Sequence, residues 1–427
     1  MKIKKTRVTP GKLEGELDIT PSKSLAHRAI IAASLSKGRS NISNISFSED
    51  IQATIEGMKA LGARIERTGQ SSLRVQGGCP KDGEITIDAR ESGSTLRFLI
   101  PIALVEEGET VFKAHKSLQS RPIDPYFHIF HKQGIKYETD GEDFLLKTRG
   151  KLEAGNFEIR GDISSQFITG LLFTLPLLEG NSRVKVVGNL ESKAYVDLTI
   201  DILSKFGISI ENHNYEEFKI EGFQEYKAQD YRVEGDFSQA AFWIVAGVIG
   251  GNIRINDTRQ DSLQGDRQIV EIVKKMGGDL EWDGDSIVAK KSKTFSSKID
   301  GSECPDLVPI LTVLASLSEG ETRIENVARL RIKESDRLEA ISTELNKIGG
   351  NVREKEDDLV IKGRRSFTGG RVDSWNDHRI AMSLAIASIS SQEPIIINNS
   401  GVVKKSYIGF WDDFKALGGG IDEFHMG

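Results

Sequence analysis

Cysteine is nearly absent: 427 residues contain 2, Cys79 and Cys304, with neither a Cys-x-x-Cys pair nor metal-ligand spacing. That excludes a disulfide scaffold and a thiolate metal site, and a reducing compartment is the simplest reading. Net positive charge is also lacking. With a balance of -6, the chain is not expected to bind nucleic acid through its overall charge, so any anion must be met by a local cationic patch. The longest apolar run, "AAFWIVAGVIGG", is too short to span a membrane, and the basic start "MKIKKTRVTP" lacks the apolar core of a secretory signal. The 7 histidines show no metal-ligand grouping, and no Gly-rich dinucleotide fingerprint follows a strand. These absences predict a cytoplasmic protein with no metal, no organic cofactor, no membrane contact and no nucleic-acid partner.

What is present is repetition. The chain is too long for one ordinary core, so two or three domains are expected. Six nine-residue windows, "MKALGARIE", "FHKQGIKYE", "LSKFGISIE", "VKKMGGDLE", "LNKIGGNVR" and "FKALGGGID", carry glycine in fifth place at Gly62, Gly134, Gly207, Gly277, Gly349 and Gly418. Each reads as a polar helix closed by a left-handed glycine cap and followed by a strand. A second series, from "SKSLAHRAIIAASLSKG" to "NDHRIAMSLAIASISSQ", is apolar nearly all round, which predicts six buried helices, each followed by a strand-like segment such as "SRVKVVG" or "PIIINN". Six units of about 70 residues suggest two domains of three, with a hinge candidate at Glu234-Gly235.

Polar residues open the buried helices: Lys23, Ser24 and Arg28; Ser94 and Arg97; Ser164, Ser165 and Gln166; Asp236 and Ser238; Asp306; Asp377, His378 and Arg379. N-capping accounts for the hydroxyls and carboxylates. It does not account for the cations, which the positive end of a helix disfavours by about 0.3–1 kcal/mol. Backbone N–H groups and guanidinium groups converging on bound anions would explain both. "RIKESDRLEA", Arg331 to Ala340, adds a like-charged pair, Lys333 and Arg337, expected on one helix face, with Glu334 and Asp336 able to supply counter-charge. A solvated helix face and a site where Glu334 exchanges protons both remain open at this point.

The ordered motifs "PSKSLAHRA", "SGSTLR", "SRPID", "SSQ", "SKAYVD", "GDFSQAAFW", "QGDR", "PDLVP", "RIKESDR", "NDHRIAM" and "KKSY" span essentially the whole chain and resemble the 3-phosphoshikimate 1-carboxyvinyltransferase family of enolpyruvyl transferases. The resemblance implies a two-domain inside-out α/β barrel, each domain three copies of a βαβαββ unit, with the active site in the cleft between domains. It also implies that the chain crosses between domains twice, giving domains 21–234 and 1–20 plus 235–427. The implied reaction moves the enolpyruvyl group of phosphoenolpyruvate to the 5-hydroxyl of shikimate 3-phosphate through a tetrahedral adduct. The first domain is implied to be the shikimate 3-phosphate side, the second the phosphoenolpyruvate and catalytic side.

Carried over by motif, Lys23, Ser24, Arg28, Ser164, Ser165, Gln166, Ser192, Tyr195, Asp306 and Lys333 would hold shikimate 3-phosphate. Phosphoenolpyruvate would meet Lys23, Gly93, Arg121, Gln166, Arg337, Arg379 and Lys405, with Gly93 letting the backbone come close. Asp306 matches the base and Glu334 the acid that protonates the methylene carbon, while Lys23 and His378 complete the catalytic set, His378 as an orienting group. Small anionic substrates and a monomer are the expected partners and state. Glu91, Ser94, Phe98 and Arg329 depart from the residues frequent in the family, which touches the shape of the phosphoenolpyruvate pocket, and Gly93 implies sensitivity to glyphosate. The related transferases acting on UDP-N-acetylglucosamine typically carry a cysteine before their "RP" motif, where this chain reads "KAHKSLQSRPID". A binding protein that keeps the fold without turnover is the other alternative.

Overall fold

A computed structural model describes residues 4–78 and 80–425; Cys79 and the first three residues of the basic start lie outside them. The chain divides into two compact units, Pro21–Val233 and the segment up to Thr20 together with Glu234 onward. The division falls one residue before the expected boundary after 234. Glu234 belongs with the residues that follow it, since its carboxylate accepts from Gln264 Nε2 at 2.7 Å and from Ser262 Oγ.

Each unit contains three four-stranded sheets built to one plan. A strand, a buried helix and a second strand parallel to the first are followed by a more polar helix and a hairpin. In the second copy these are Gly83–Asp88, Gly93–Ile102, Gly108–Lys113, Pro125–Gln133, Lys136–Glu138 and Leu146–Arg149. In every sheet the four strand positions lie in the spatial order first, second, fourth, third, and in three sheets one position is filled by a strand from elsewhere in the sequence. Three strands are lent across the sequence. Tyr231–Arg232 lies parallel to Arg39–Ser43 and completes the first copy. Glu14–Asp18 lies parallel to Asn252–Asn256 and opens the fourth. Lys4–Thr9 runs antiparallel to both Ile395–Asn398 and Gly420–His425 and closes the sixth.

The residue pattern explains the layering. Strands such as Ser182–Val187 alternate buried and exposed, so each sheet has one dry face. The helices beneath are dry all round: in Phe237–Gly250 every residue except Ile249 is buried. Helices inside and sheets outside follow from these two patterns. The six glycines that end the polar helices all take positive φ, from 68° at Gly134 to 116° at Gly62, a conformation that a Cβ would strain. Among the described residues, no helix is long and apolar enough to cross a membrane.

One glycine matters for placing the polar helix starts. A Cβ on Gly170, in helix Ser165–Thr174, would lie 2.4 Å from the Tyr126 hydroxyl and 2.5 Å from the Arg97 carbonyl. Tyr126 donates to the Arg97 and Phe167 carbonyls at 2.7 and 3.0 Å. Close helix approach and this hydroxyl bridge set helices Gly93–Ile102 and Ser165–Thr174 side by side.

Candidate functional site

In the unit Pro21–Val233, serines cap all three buried helices: Ser22, Ser92 and Ser164 accept from backbone N–H groups of their first turns. Ser92 takes the capping place considered for Ser94, which frees Ser94 Oγ to accept from Gln166 Nε2 at 3.0 Å. Gln166 Oε1 in turn accepts from Arg97 Nη1 at 2.7 Å. Gly93 sits inside this group. A Cβ there would be 3.4 Å from the guanidinium tips of both Arg97 and Arg121 and 3.5 Å from Gln166 Oε1. Two cations, an amide and a bare backbone turn thus face one small volume.

Arg28 is buried, and its N–H groups reach Thr199 Oγ1 at 2.9 Å, the Ser24 carbonyl at 2.8 Å and the Tyr195 carbonyl at 2.9 Å. Burial lowers its guanidinium to about 10, with Tyr195 acting in the opposite direction. Lys23 Nζ pairs with Asp50 Oδ2 at 2.8 Å, and Asp50 opens the neighbouring polar helix Glu49–Ala60. Ser165 and Ser192 are buried, and Ser192 holds φ of 56° just before helix Lys193–Lys205, which carries Tyr195. The structure therefore links Ser24, Arg28 and Tyr195 in one group, and Gly93, Arg121 and Gln166 in another.

Asp50 and His27 escaped the sequence reading. Asp50 shares the first turn of its polar helix with Glu49, and nothing in the local sequence sets it apart. His27 is fully buried with Nδ1 2.7 Å from Thr54 Oγ1; Thr54 is 2.7 Å from Thr95, which donates to Ser92 Oγ at 2.7 Å. With Thr95 donating onward, Thr54 donates to Thr95 and His27 must donate from Nδ1. Burial, with Lys23 and Arg28 nearby, keeps that ring well below the ordinary histidine range and neutral. This chain ties the first buried helix to the cap of the helix that begins at Gly93.

In the other unit, charge centres on Arg337, whose side chain is 2% exposed. Its Nη1 donates to Asp306 Oδ1 at 2.8 Å, Nη2 to Glu334 Oε2 at 2.6 Å and Nε to Asp377 Oδ2 at 2.8 Å. Asp306 Oδ2 accepts from Arg379 Nη2 at 2.9 Å. Burial works to raise Asp306, but Arg379, Arg337 and Lys333 outweigh it and hold the carboxyl well below the usual carboxylate range. Arg337 moves the other way: its three carboxylates overcome burial and push it above the ordinary arginine value. Half-buried Lys333 is lowered to about 8 by burial, against the pull of Asp306.

The helix expected to carry both Lys333 and Arg337 starts only at Arg337. Asp336 caps it, accepting from Leu338 N and Glu339 N at 3.1 Å, and also pairs with Arg331 at 3.1 Å. Lys333 lies before the cap in extended backbone, so the expected like-charged helical pair does not form. Asp377 caps the sixth buried helix through Arg379 N at 2.9 Å and accepts from Ser335 Oγ at 3.1 Å. His378 is buried with Nδ1 3.9 Å from Asp377 Oδ1. Lys405 Nζ donates to the Asn376 carbonyl at 3.1 Å, beside the same helix start. Two hollows of about 540 and 390 Å³ lie elsewhere, lined by groups such as Arg364 and Lys219, and contain none of the candidate residues.

A family model for EPSP synthase (3-phosphoshikimate 1-carboxyvinyltransferase) matches residues 8–414. The 3-phosphoshikimate 1-carboxyvinyltransferase of Clostridium novyi is 56% identical over 430 residues, covering 99% of both chains. That of Clostridium kluyveri is 52% identical over the full length of both. Among solved structures, an EPSP synthase from Acinetobacter baumannii superposes with a TM-score of 0.82 at 24% identity over 99% of this chain and all of its own. An enolpyruvyl transferase from Streptomyces tendae gives 0.82 at 16% identity over the whole of both chains. These last two likenesses speak to the fold, which is the two-domain α/β architecture of repeated βαβαββ units. A family model spanning nearly all the chain, and relatives more than half identical from end to end, establish that the chain belongs to the EPSP synthase (3-phosphoshikimate 1-carboxyvinyltransferase) family.

Proposed function

We propose that the protein transfers the enolpyruvyl group of phosphoenolpyruvate to the 5-hydroxyl of shikimate 3-phosphate, releasing phosphate, in the shikimate pathway to aromatic amino acids. The observation that carries this reading is the Arg337 cluster, in which one buried guanidinium holds two carboxylates suited to opposite tasks. Asp306 is kept ionised by its cations and so can accept a hydroxyl proton. Glu334 is more exposed, at 24% against 19% for Asp306, and has Arg337 as its partner.

On this reading Lys23, Ser24, Arg28, Ser164, Ser165, Gln166, Ser192, Tyr195 and Lys333 hold shikimate 3-phosphate. Gly93, Arg121, Gln166, Arg337, Arg379, Lys405 and again Lys23 receive phosphoenolpyruvate. In the addition step the 5-hydroxyl oxygen bonds to C2 of phosphoenolpyruvate, its proton passing to Asp306, while C3 takes a proton from Glu334. Elimination returns the C3 proton to Glu334 and expels phosphate, which leaves with the proton held by Asp306. A proton donor cannot stay tied to Arg337 as an acceptor. A substrate carboxylate arriving on Arg337 would displace Glu334 Oε2 and free it to carry a proton. His378, packed beside Asp377, orients the start of the sixth helix. The expected state is a cytoplasmic monomer without a cofactor.

Purified protein given shikimate 3-phosphate and phosphoenolpyruvate should release phosphate. No release with that pair, alongside turnover of UDP-N-acetylglucosamine, would assign the chain to the related transferases. Binding of both ligands without any release would make it a non-catalytic relative.

A further inference from the structure

His27, Thr54 and Thr95 have no place among the groups read as meeting a substrate, yet with Ser92 they form one buried line. His27 Nδ1 lies 2.7 Å from Thr54 Oγ1, Thr54 Oγ1 lies 2.7 Å from Thr95 Oγ1, and Thr95 Oγ1 donates to Ser92 Oγ at 2.7 Å. Ser92 Oγ also accepts the Thr95 N–H at 3.1 Å, so two donors meet on the oxygen just before Gly93. The helix that carries Thr54, Glu49–Ala60, carries Asp50 one turn earlier. Asp50 holds Lys23 through its carboxylate at 2.8 Å, and its carbonyl lies 3.4 Å from Thr95 Oγ1. At the far end of the line His27 Nε2 is buried with no hydrogen-bond partner among the described residues. The ring proton therefore belongs on Nδ1, where it is used, and every bond in the line points towards Ser92. Apolar side chains of the same shape would pack there with similar stability, whereas a buried hydrogen-bonded line fixes one arrangement.

We infer that His27, Thr54 and Thr95 are positioning residues for phosphoenolpyruvate: acting through Ser92, they fix the turn at Gly93 so that its bare backbone meets the ligand beside Arg97, Arg121 and Gln166. The inference rests on the reading of Gly93 as part of the phosphoenolpyruvate pocket. The space at Gly93 shows why placement matters. A Cβ there would already stand 3.4 Å from two guanidinium tips and 3.5 Å from Gln166 Oε1, so a small shift of the turn changes all three approaches at once. Through Asp50 and Thr54, one helix refers both Lys23 and the Gly93 turn to the same rigid element. None of the three positioning residues is placed at the reacting atoms, so their effect falls on binding and not on the chemical step.

The test is the steady-state kinetics of phosphate release in Thr54→Val, Thr95→Val, the double valine variant and Thr54→Ser, with Gly93→Ala alongside. Each valine keeps the volume and removes one link. The KM for phosphoenolpyruvate should rise about three- to tenfold, while kcat and the KM for shikimate 3-phosphate stay within about twofold. Thr54→Ser keeps the hydroxyl and should stay near wild type. Because the links act in series, the double variant should be no worse than the worse single one. A merely structural line would lower the melting point and leave the KM of the folded protein where it is. With Gly93→Ala raising the KM for phosphoenolpyruvate, an unmoved KM in either folded valine variant, or valine effects that multiply in the double, overturns the inference. An unmoved KM in Gly93→Ala would instead overturn the placing of Gly93 in that pocket, and the inference with it.

Discussion

Arg337→Met is the most informative single change, because the methionine fills the volume and removes only the charge and its N–H groups. In the native structure that guanidinium serves Asp306, Glu334 and Asp377 at 2.6 to 2.8 Å. Losing one partner of a buried ion pair costs about 3–5 kcal/mol, because the remaining charge stays buried. The three contacts do not add to three such losses. Asp306 keeps Arg379, and Asp377 keeps Ser335 Oγ and the backbone N–H of Arg379. For a unit of roughly 200 residues, at about 2–4 °C per kcal/mol, the melting point should drop by roughly 6–20 °C. Tryptophan fluorescence reads this unit alone, since all 4 tryptophans, Trp243, Trp282, Trp375 and Trp411, belong to it. Asp306 adds a second signature. Its folded carboxyl is depressed, so its stabilising contribution is full above the ordinary carboxylate range and is lost as pH falls through its lowered value. The gap between wild type and Arg337→Met should thus be steady from pH 8 to about 5 and narrow only below about 4. A drop under about 2 °C, or a gap that closes near neutrality, would refute the view that Arg337 neutralises these carboxylates.

Glu334→Gln should lower kcat by about 10²–10⁴-fold while calorimetric affinities for both substrates stay within about threefold, because carbon protonation matters only in the transition state. Gly93→Ala places a methyl 3.4 Å from the Arg97 and Arg121 guanidinium tips, which can give way, so the protein should fold normally. The steady-state KM for phosphoenolpyruvate should nevertheless rise more than kcat falls, and an unchanged KM would remove Gly93 from that pocket. Lys333, lowered to about 8 by burial, loses its charge as pH rises through that value, so shikimate 3-phosphate should bind less tightly at pH 9 than at pH 7. Lys333→Gln should flatten that dependence in calorimetry. Thr54→Val cuts the hydrogen-bond chain between His27 and Thr95 and should cost about 1–3 kcal/mol in the unit Pro21–Val233, read by amide hydrogen exchange.

Repetition made the architecture legible. A left-handed glycine at each polar helix end is a local demand of the backbone, so Gly62 through Gly418 recur in the sequence at nearly even spacing, and all six hold positive φ. The lent strands left no such trace. Nothing local to Lys4–Thr9 says that it will pair with Ile395–Asn398, because that choice depends on which copy lacks a strand. The family resemblance supplied only the crossing that puts residues 1–20 with the second half of the chain. The site divided in the same way. Caps at Ser164, Asp236 and Asp377 follow from local helix chemistry and were readable, whereas the carboxylates around Arg337 come from 31 and 40 residues away as well as from its own turn.

Arg337 explains why charge spacing alone misled at "RIKESDRLEA". Lys333 and Arg337 would share a helix face only if Lys333 belonged to the helix, but Asp336 caps the chain three residues later and separates the two cations. Once the cap is placed, the segment divides by task. Asp336 holds the helix start and Arg331, while Arg337, buried in the first helical turn, reaches away from its own helix to Asp306 and Asp377. Asp377 closes the argument, because one carboxylate both caps the sixth buried helix and orients Arg337. Folding of the apolar core and placement of the charged cluster therefore share a residue. A change at Asp377 that spared the helix but released Arg337 would separate the two: Asp377→Asn keeps a capping oxygen and loses the charge. Arg337 keeps Asp306 and Glu334, so the melting point should fall less than in Arg337→Met while turnover is lost, and a fall as large as in Arg337→Met with activity retained in the folded fraction would show that the residue serves the core alone.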